Sequence, residues 1–359
     1  MLRWQGYGPV GKGGSTRGLS VHAVLAVDAA SGALLGLAGA QIWNRTGGLV
    51  TARRDRRTAD KESQRWLDGA EAAGRVLHAA RQITVVADRE SDIYEGFARR
   101  PGNVHLITRA AQDRAVESGE RLFAHIDQLP EAGQFTTVIP AAPGHSPRDA
   151  TLAVRFAPIV LRAPRHGAAP DLPKTVALHV VDIREVAATD SNVAIHWRLL
   201  TTHLVDSLPQ ARWIVECYRR RWLIEQFFRS LKTGGFDIEA ANIGSPAVMA
   251  RFTAAVVTAA VTVMQLVQAR DGTDDQRLTD AFDADDQPLL QALARKLGGK
   301  TARQCNPHPP DSLAFGAWVI ARLGGWTGYY GKPGPLVMRR GLHDFQQIKL
   351  GHNLHAKIV

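Results

Sequence analysis

Residues 217–235 read CYRRRWLIEQFFRSLKTGG, and a single acid, Glu225, stands there among Arg219, Arg220, Arg221, Arg229 and Lys232. On a helix covering 209–232, at about 100° per residue, Tyr218, Arg221, Glu225 and Lys232 share a stripe roughly 60° wide and about 21 Å long. Leu223, Ile224, Phe227 and Leu231 fall on the opposite side, which would pack inward. A second acid, Asp88, ends the β-branched run QITVVAD, and open α/β sheets build their sites beyond the carboxyl ends of strands. Two such carboxylates suit Mg²⁺, a hard cation that takes oxygen ligands and keeps several waters. Two ions held this way clamp the attacking and leaving oxygens of a phosphodiester. Arginine would then grip phosphate oxygens with two parallel hydrogen bonds and lysine as a point charge. The same letters also describe a solvated helix with i,i+4 ion pairs, Arg221–Glu225 and Glu225–Arg229. An acid at a strand end equally describes a helix cap.

The chain has 359 residues with 44 Lys plus Arg against 34 acids, a net charge of +10, and 45% hydrophobic residues. That length holds two or three domains, and the composition excludes global disorder. The basic excess favours polyanionic partners. The two cysteines, Cys217 and Cys305, exclude a disulfide scaffold and a cysteine-rich zinc site and suit a reducing cytoplasm. No stretch approaches the length and apolarity of a membrane span, and MLRWQGYGPVGKGG lacks the apolar core of a secretory signal. GYGPVG (Gly6 to Gly11) fits the dinucleotide pattern by letter only: it follows no strand, and Gly13 stands where a P-loop needs Ser or Thr after Lys12.

The elements that must position these acids follow from periodicity. The opening, to about Arg17, is glycine-rich and aperiodic and reads as a loop. LSVHAVLAVDAASGALLGLAGAQIWNR is a hairpin turning at Asp28–Gly32, and DKESQRWLDGAEAAGRVLHAA has helical spacing. Strands follow at QITVVAD and NVHLITRA. From 111 to 195 prolines and β-rich runs (FTTVIPA, LAVRFAPIVLRA, KTVALHVVDI) predict an all-β insertion. AIHWRLLTT is a strand, 208–232 one long helix, and 246–268 an apolar helix. DGTDDQRLTDAFDADD reads as an acidic linker before a segment rich in Trp, Gly and aromatics. The order is an α/β pattern interrupted once by a β module.

Tyr218-x2-Arg221-x3-Glu225-x6-Lys232 resembles the Y-R-E-K signature of the insertion-sequence-four family of bacterial DDE transposases, of the transposon-five kind. DRESDIYEGF (Asp88 to Phe97) is similar to that family's block around its second catalytic Asp. DKESQRW, HWRLLTT and the terminal WVIARLGGWTGYYGKPGP resemble further family segments, in the expected order from about residue 6 to the C-terminus. The resemblance implies an α/β fold: an RNase H-like catalytic core interrupted by an all-β insertion, with a mainly α-helical C-terminal dimerisation region. The expected divisions are a first core part at 1–110, the insertion at 111–195, a second core part at 196–270 and the dimerisation region at 271–359.

It implies cut-and-paste transposition with Mg²⁺, for which Mn²⁺ can substitute, on double-stranded DNA at transposon ends and target. A homodimer on DNA is expected, without membrane association, in the bacterial cytoplasm at the nucleoid. Asp88 and Glu225 would be two of three metal-binding carboxylates. Tyr218, Arg221 and Lys232 would contact phosphates, Trp197 would stack on a flipped base, and Arg109 would lie near the active site. The family's first Asp sits on a strand before the glycine-rich loop, whereas MLRWQ contains no acid and Asp28 lies in a hairpin turn. The expectation is a chain lacking that strand, that ligand and the family's N-terminal DNA-binding region, or one whose start was placed too late, and so impaired in catalysis. The alternative is a non-catalytic remnant that binds DNA and dimerises as an inhibitor through the Trp318–Trp326 region.

Overall fold

The computed structural model describes residues 6–11, 16–45, 57–139, 146–166, 169–186, 194–232, 235–273 and 275–358. MLRWQ, and with it the question of an acid-bearing first strand, lies outside them. The strands are β1 (Gly8–Val10), β2 (Thr16–Gly18), β3 (Ser20–Val27), β4 (Leu34–Trp43), β5 (Ile83–Ala87), β6 (Val104–Arg109), β7 (Gly133–Ile139), β8 (Arg148–Arg162), β9 (Thr175–Val186) and β10 (His196–Thr201). The helices are α1 (Gln64–Val76), α2 (Tyr94–Ala98), α3 (Leu122–Asp127), α4 (Leu208–Arg219), α5 (Trp222–Lys232), α6 (Pro246–Ala269), α7 (Gln287–Leu297), α8 (Leu313–Leu323) and α9 (Pro335–Ile358). The chain folds as two compact units, Gly48–Arg221 and Met1–Gly47 with Trp222–Val359.

The unit Gly48–Arg221 is a mixed six-stranded sheet in the order β5-β6-β10-β9-β8-β7. β5 and β6 are parallel, with Ala87 beside Thr108, so both strands leave the sheet at one end. All other pairs are antiparallel. One face buries Ile107, Leu152, Val154, Val181, Ile183 and Leu199 against Ala211, Ile214, Val215 and Tyr218 of α4. Those α4 positions follow the i, i+3, i+4, i+7 spacing of an amphipathic helix. β7, β8 and β9, from the β-rich run of the sequence, are strands of the same sheet as β5 and β6.

The single long helix expected over 208–232 is two helices. α4 closes with backbone N–H groups of Arg220 and Arg221 bonding to Cys217 and Tyr218, three residues back, and α5 starts at Trp222. The buried residues of α4 centre on one side of the wheel, while Phe227 and Leu231 of α5 lie roughly 180° away. The residues of the expected row are divided between these elements: Tyr218 on α4, Arg221 in the turn, and Glu225 and Lys232 on α5. Tyr218 lies on the buried side of α4, at 4% exposure.

In the other unit the hairpin β3–β4 turns where the sequence signals it. The Asp28 carboxylate accepts from the backbone N–H groups of Ala30 (3.0 Å) and Ser31 (2.6 Å), and Gly32 takes φ 80°. α6 packs on β4, and two glutamines bind the strand's start: Leu34 N–H donates to Gln268 Oε1 (2.8 Å), and Gln265 Nε2 to the Leu35 carbonyl (3.0 Å). α6 corrects one expectation, because Pro246–Ala269 is long and apolar enough to cross a membrane. Val257, Ala260 and Val261 pack with Phe227, Leu231 and Leu34, while Val263 and Leu266 join the core of α8 and α9. Its apolarity thus serves two buried faces.

The opening loop contains a short antiparallel pair, Gly8–Gly18 through Val10–Thr16, which a run this short and glycine-rich does not announce. The acidic stretch 271–286 is no linker. Leu278 and Phe282 enter the core, and Asp280 and Asp286 accept from backbone N–H groups of Arg277 (2.8 Å) and Asp283 (3.3 Å) as caps of 3-10 turns. These two acids act as local caps, and Asp271 and Asp283 pair with Lys332 and Lys349, so the charge of the stretch misleads at sequence level. α8 and α9 touch at glycines: a Cβ on Gly341 would stand 1.7 Å from the Ile320 carbonyl oxygen.

Candidate active site

β5 carries ITVVA, β-branched at four of its positions, and ends because Asp88 turns the chain into a 3-10 turn, Arg89–Ser91. Asp88 caps that turn, its Oδ1 accepting from the Glu90 N–H at 2.9 Å. Ser91 Oγ donates to the Asp88 carbonyl (2.8 Å) and bonds Thr108 Oγ1 on β6 (3.0 Å). Asp92, its side chain fully buried, accepts from the N–H groups of Ala111 (2.8 Å) and Gln112 (2.9 Å) and from Arg114 Nε (3.1 Å) and Nη2 (2.8 Å). Glu90 pairs with Arg65 of α1. The loop bearing Asp88 is thus fixed to α1, to β6 and to the turn after β6, which leaves little freedom for its carboxylate. Asp92, Ser91 and Arg114 were missed as anchors, although the acid four residues after Asp88 in DRESD was the available signal.

Around Asp88 the same end of the sheet collects cations. Tyr218 reaches up from α4, and its phenol is held above its ordinary value. Burial is the main cause; Arg221 and Arg109 pull it down and Asp88 pushes it up. Arg109, at the end of β6, is held below its ordinary value by burial first and then by Arg89; Tyr218 works the other way, partly through a side-chain hydrogen bond. Arg109 Nη2 donates to the His196 carbonyl (2.8 Å), and the Arg221 guanidinium lies 5.8 Å from the Tyr218 ring centroid. Trp197 of β10 is half-buried, edge-on to Tyr218 with centroids 5.1 Å apart. The unit therefore brings Asp88, Arg109, Trp197, Tyr218 and Arg221 together. A carboxylate can take a cation, and guanidinium groups at the same strand ends can take the phosphate oxygens beside it.

Glu225 and Lys232 lie on α5, in the other unit. Glu225 is half-buried in the first turn, where the helix dipole favours an acid. Lys232 Nζ pairs with Glu239 at 2.8 Å, both exposed. Asp88 and Glu225 offer carboxylate oxygens only, the donor chemistry that Mg²⁺ and Mn²⁺ prefer. Among the described residues no group of three or more His, Cys, Asp or Glu side chains is arranged to hold a metal ion. Cys217 is buried, and burial pushes its thiol up to about 11, which makes it an inert core residue.

A family model described as the transposase DDE domain matches residues 3–261, a span that contains every residue placed above at the end of β5 and β6 and on α5. Domains of this kind act on DNA and use divalent metal ions, which agrees with a carboxylate and arginines at the carboxyl end of β5 and β6. The chain belongs to the transposase DDE-domain family.

Proposed function

We propose that this transposase works by cut-and-paste at transposon ends, within the insertion-sequence-four group, on an RNase H-like core. Asp88 and Glu225 are assigned as metal-binding carboxylates, with Mg²⁺ as the ion and Mn²⁺ as a substitute. When bound, the ions would polarise the scissile phosphate and steady the charge that develops on the entering and leaving oxygens. The chain's own groups do the positioning. Arg109 and Arg221 hold non-bridging phosphate oxygens, and Lys232 neutralises a neighbouring phosphate. The Tyr218 phenol, kept protonated by burial and set between the two arginines, donates a hydrogen bond rather than taking a proton. Trp197 offers an aromatic face beside them for an unstacked base. The segment after 271, with Trp318–Trp326, is assigned to homodimerisation on DNA, and the cytoplasm at the nucleoid is the site of action.

The observation that carries this reading is the cluster at the carboxyl end of β5 and β6: Asp88 follows β5, Arg109 ends β6, the Trp197 and Tyr218 ring centroids lie 5.1 Å apart, and the Arg221 guanidinium lies 5.8 Å from the Tyr218 centroid. The test is nicking of a duplex carrying the element's terminal repeat, with Mg²⁺ or Mn²⁺, by the full chain and by Asp88→Ala and Glu225→Ala. Metal-dependent nicking that both variants lose, while duplex binding persists, supports the assignment. Nicking that survives in either variant overturns it.

A further inference from the structure

A second cluster of cations lies at the same end of the six-stranded sheet, on the other face. Leu199, Val181 and Ile183 point to the α4 side, so Arg198, Asp182 and Arg184, which alternate with them, point away. Arg198 on β10 and Arg155 on β8 stand directly across the ladders from Asp182 on β9, and His196 stands across from Arg184. Leu199 pairs with Arg109, so this row begins one residue beyond it and ends three beyond, about 3 to 10 Å further along the strands.

Hydrogen-bond supply exceeds demand here. The enclosed Asp182 carboxylate accepts from Arg184 Nε (2.8 Å) and His196 Nε2 (2.9 Å). Arg155 Nη1 and Arg198 Nε remain 3.8 Å from it, too far to bond, and both are buried nitrogen atoms with no hydrogen-bond partner. Arg155 Nε donates to the Leu129 carbonyl (3.1 Å), and the Arg198 guanidinium lies 4.5 Å from the Phe123 ring centroid. At the rim, Arg184 Nη2 and Arg198 Nη2 converge on one oxygen, Oδ1 of Asp127, the latter at 2.8 Å. Asp127 is the last residue of α3, and its side chain is 47% exposed against 0% for Asp182. Burial pushes the Asp127 carboxyl up, but hydrogen bonds from Arg198 and Arg184 outweigh it and hold the group below its ordinary value.

Three guanidinium groups thus face two carboxylates, and only the outer carboxylate meets solvent. Two guanidinium N–H groups converging on one anionic oxygen offer the charge-assisted donors that a phosphodiester oxygen takes. We infer that Arg184 and Arg198 form a second phosphodiester-binding fork for duplex DNA, and that Asp127 occupies it when DNA is absent. The inference rests on the DNA-acting function proposed above and extends the bound track from Arg109 onto the β8–β9–β10 face. DNA displaces the half-exposed carboxylate into water, and the buried Asp182 keeps the arginines aligned.

The experiment is fluorescence anisotropy of a labelled duplex of arbitrary sequence, with the full chain, across a salt series. Arg184→Gln is expected to weaken binding about three- to tenfold and to lower the salt slope by about one. Asp127→Asn, which removes the competing charge at a half-exposed position, is expected to tighten binding several-fold. Unfolding cannot mimic that gain, so Asp127→Asn decides the matter if Arg184→Gln fails to fold. Duplex binding by the parent chain with an unchanged or weaker Asp127→Asn overturns the fork and leaves the transposase reading standing. No duplex binding by the parent chain, at any salt, removes the DNA reading and the fork together.

Discussion

The two ends of the β5–β6–β10 strands invite comparison because the backbone is shared and the side chains are not. At the carboxyl end of β5 and β6, Asp88, Arg109, Tyr218 and Arg221 gather charge next to one another. At the amino end, His105 stacks on His203 with ring centroids 4.0 Å apart and planes 15° from parallel. Trp213 meets His203 edge-on at 5.0 Å, and Thr84 Oγ1 bonds its Nε2 at 2.9 Å. Burial, then the charges of His105 and Arg100, lowers His203 to about 4, and burial lowers His105 as well. Titratable residues occur at both ends, but one end keeps its groups neutral and packed while the other sets an acid among cations. Titratable side chains alone therefore do not mark a site.

The widest separation between the ends should appear in activity. Asp88→Ala should cut metal-dependent nicking by on the order of 10³-fold or more, because the carboxylates proposed to hold the metal would act as a unit. His203→Phe, at the other end, should leave nicking within a few-fold of the parent when both are assayed well below the melting temperature. Equal losses would erase the distinction.

Next in size is the anchor behind Asp88. Asp92→Ala leaves the buried Arg114 guanidinium without its carboxylate and should cost about 3–5 kcal/mol in urea unfolding. A cost below about 1 kcal/mol would mean that the loop is held by other means.

The histidine end gives a pH signature of known sign. A folded His203 that titrates at about 4 rather than 6.5 favours the neutral ring. Its stabilisation is complete above about pH 6.5 and is lost as pH falls from there towards 4, amounting to about 2 kcal/mol between pH 7 and pH 4.5. His203→Phe should flatten that part of the stability curve, read from urea midpoints at the two pH values. An unchanged slope would place the acid sensitivity elsewhere.

The smallest effect lies outside both ends and calibrates them. Ser312 caps α8 by accepting from the Phe315 N–H at 3.2 Å, so Ser312→Ala should cost about 1 kcal/mol with no change in nicking.

Much of this arrangement was legible in the letters. The alternation and β-branching of ITVVA and VHLITR marked β5 and β6, and Asp28 and Gly32 marked the hairpin turn. The turn at Arg220–Arg221 was hidden because every residue from Leu208 to Lys232 except Pro209 is compatible with a helix. The backbone bonds of Arg220 and Arg221, reaching three residues back, reveal the break. Asp280 and Asp286 read as linker charge because capping depends on where the backbone N–H groups fall. The Asp182 lattice was invisible for a related reason: Arg155, Asp182 and Arg198 meet only through strand register.

The claim that the carboxyl end of β5 is the metal-using end has a direct probe. Fe²⁺ put in place of Mg²⁺, with ascorbate and peroxide, cleaves backbone near wherever the metal binds. The account predicts cuts beside Asp88 and beside Glu225, suppressed by excess Mg²⁺ and absent in Asp88→Ala. Cuts confined elsewhere, or insensitive to Mg²⁺ and to the substitution, would contradict it.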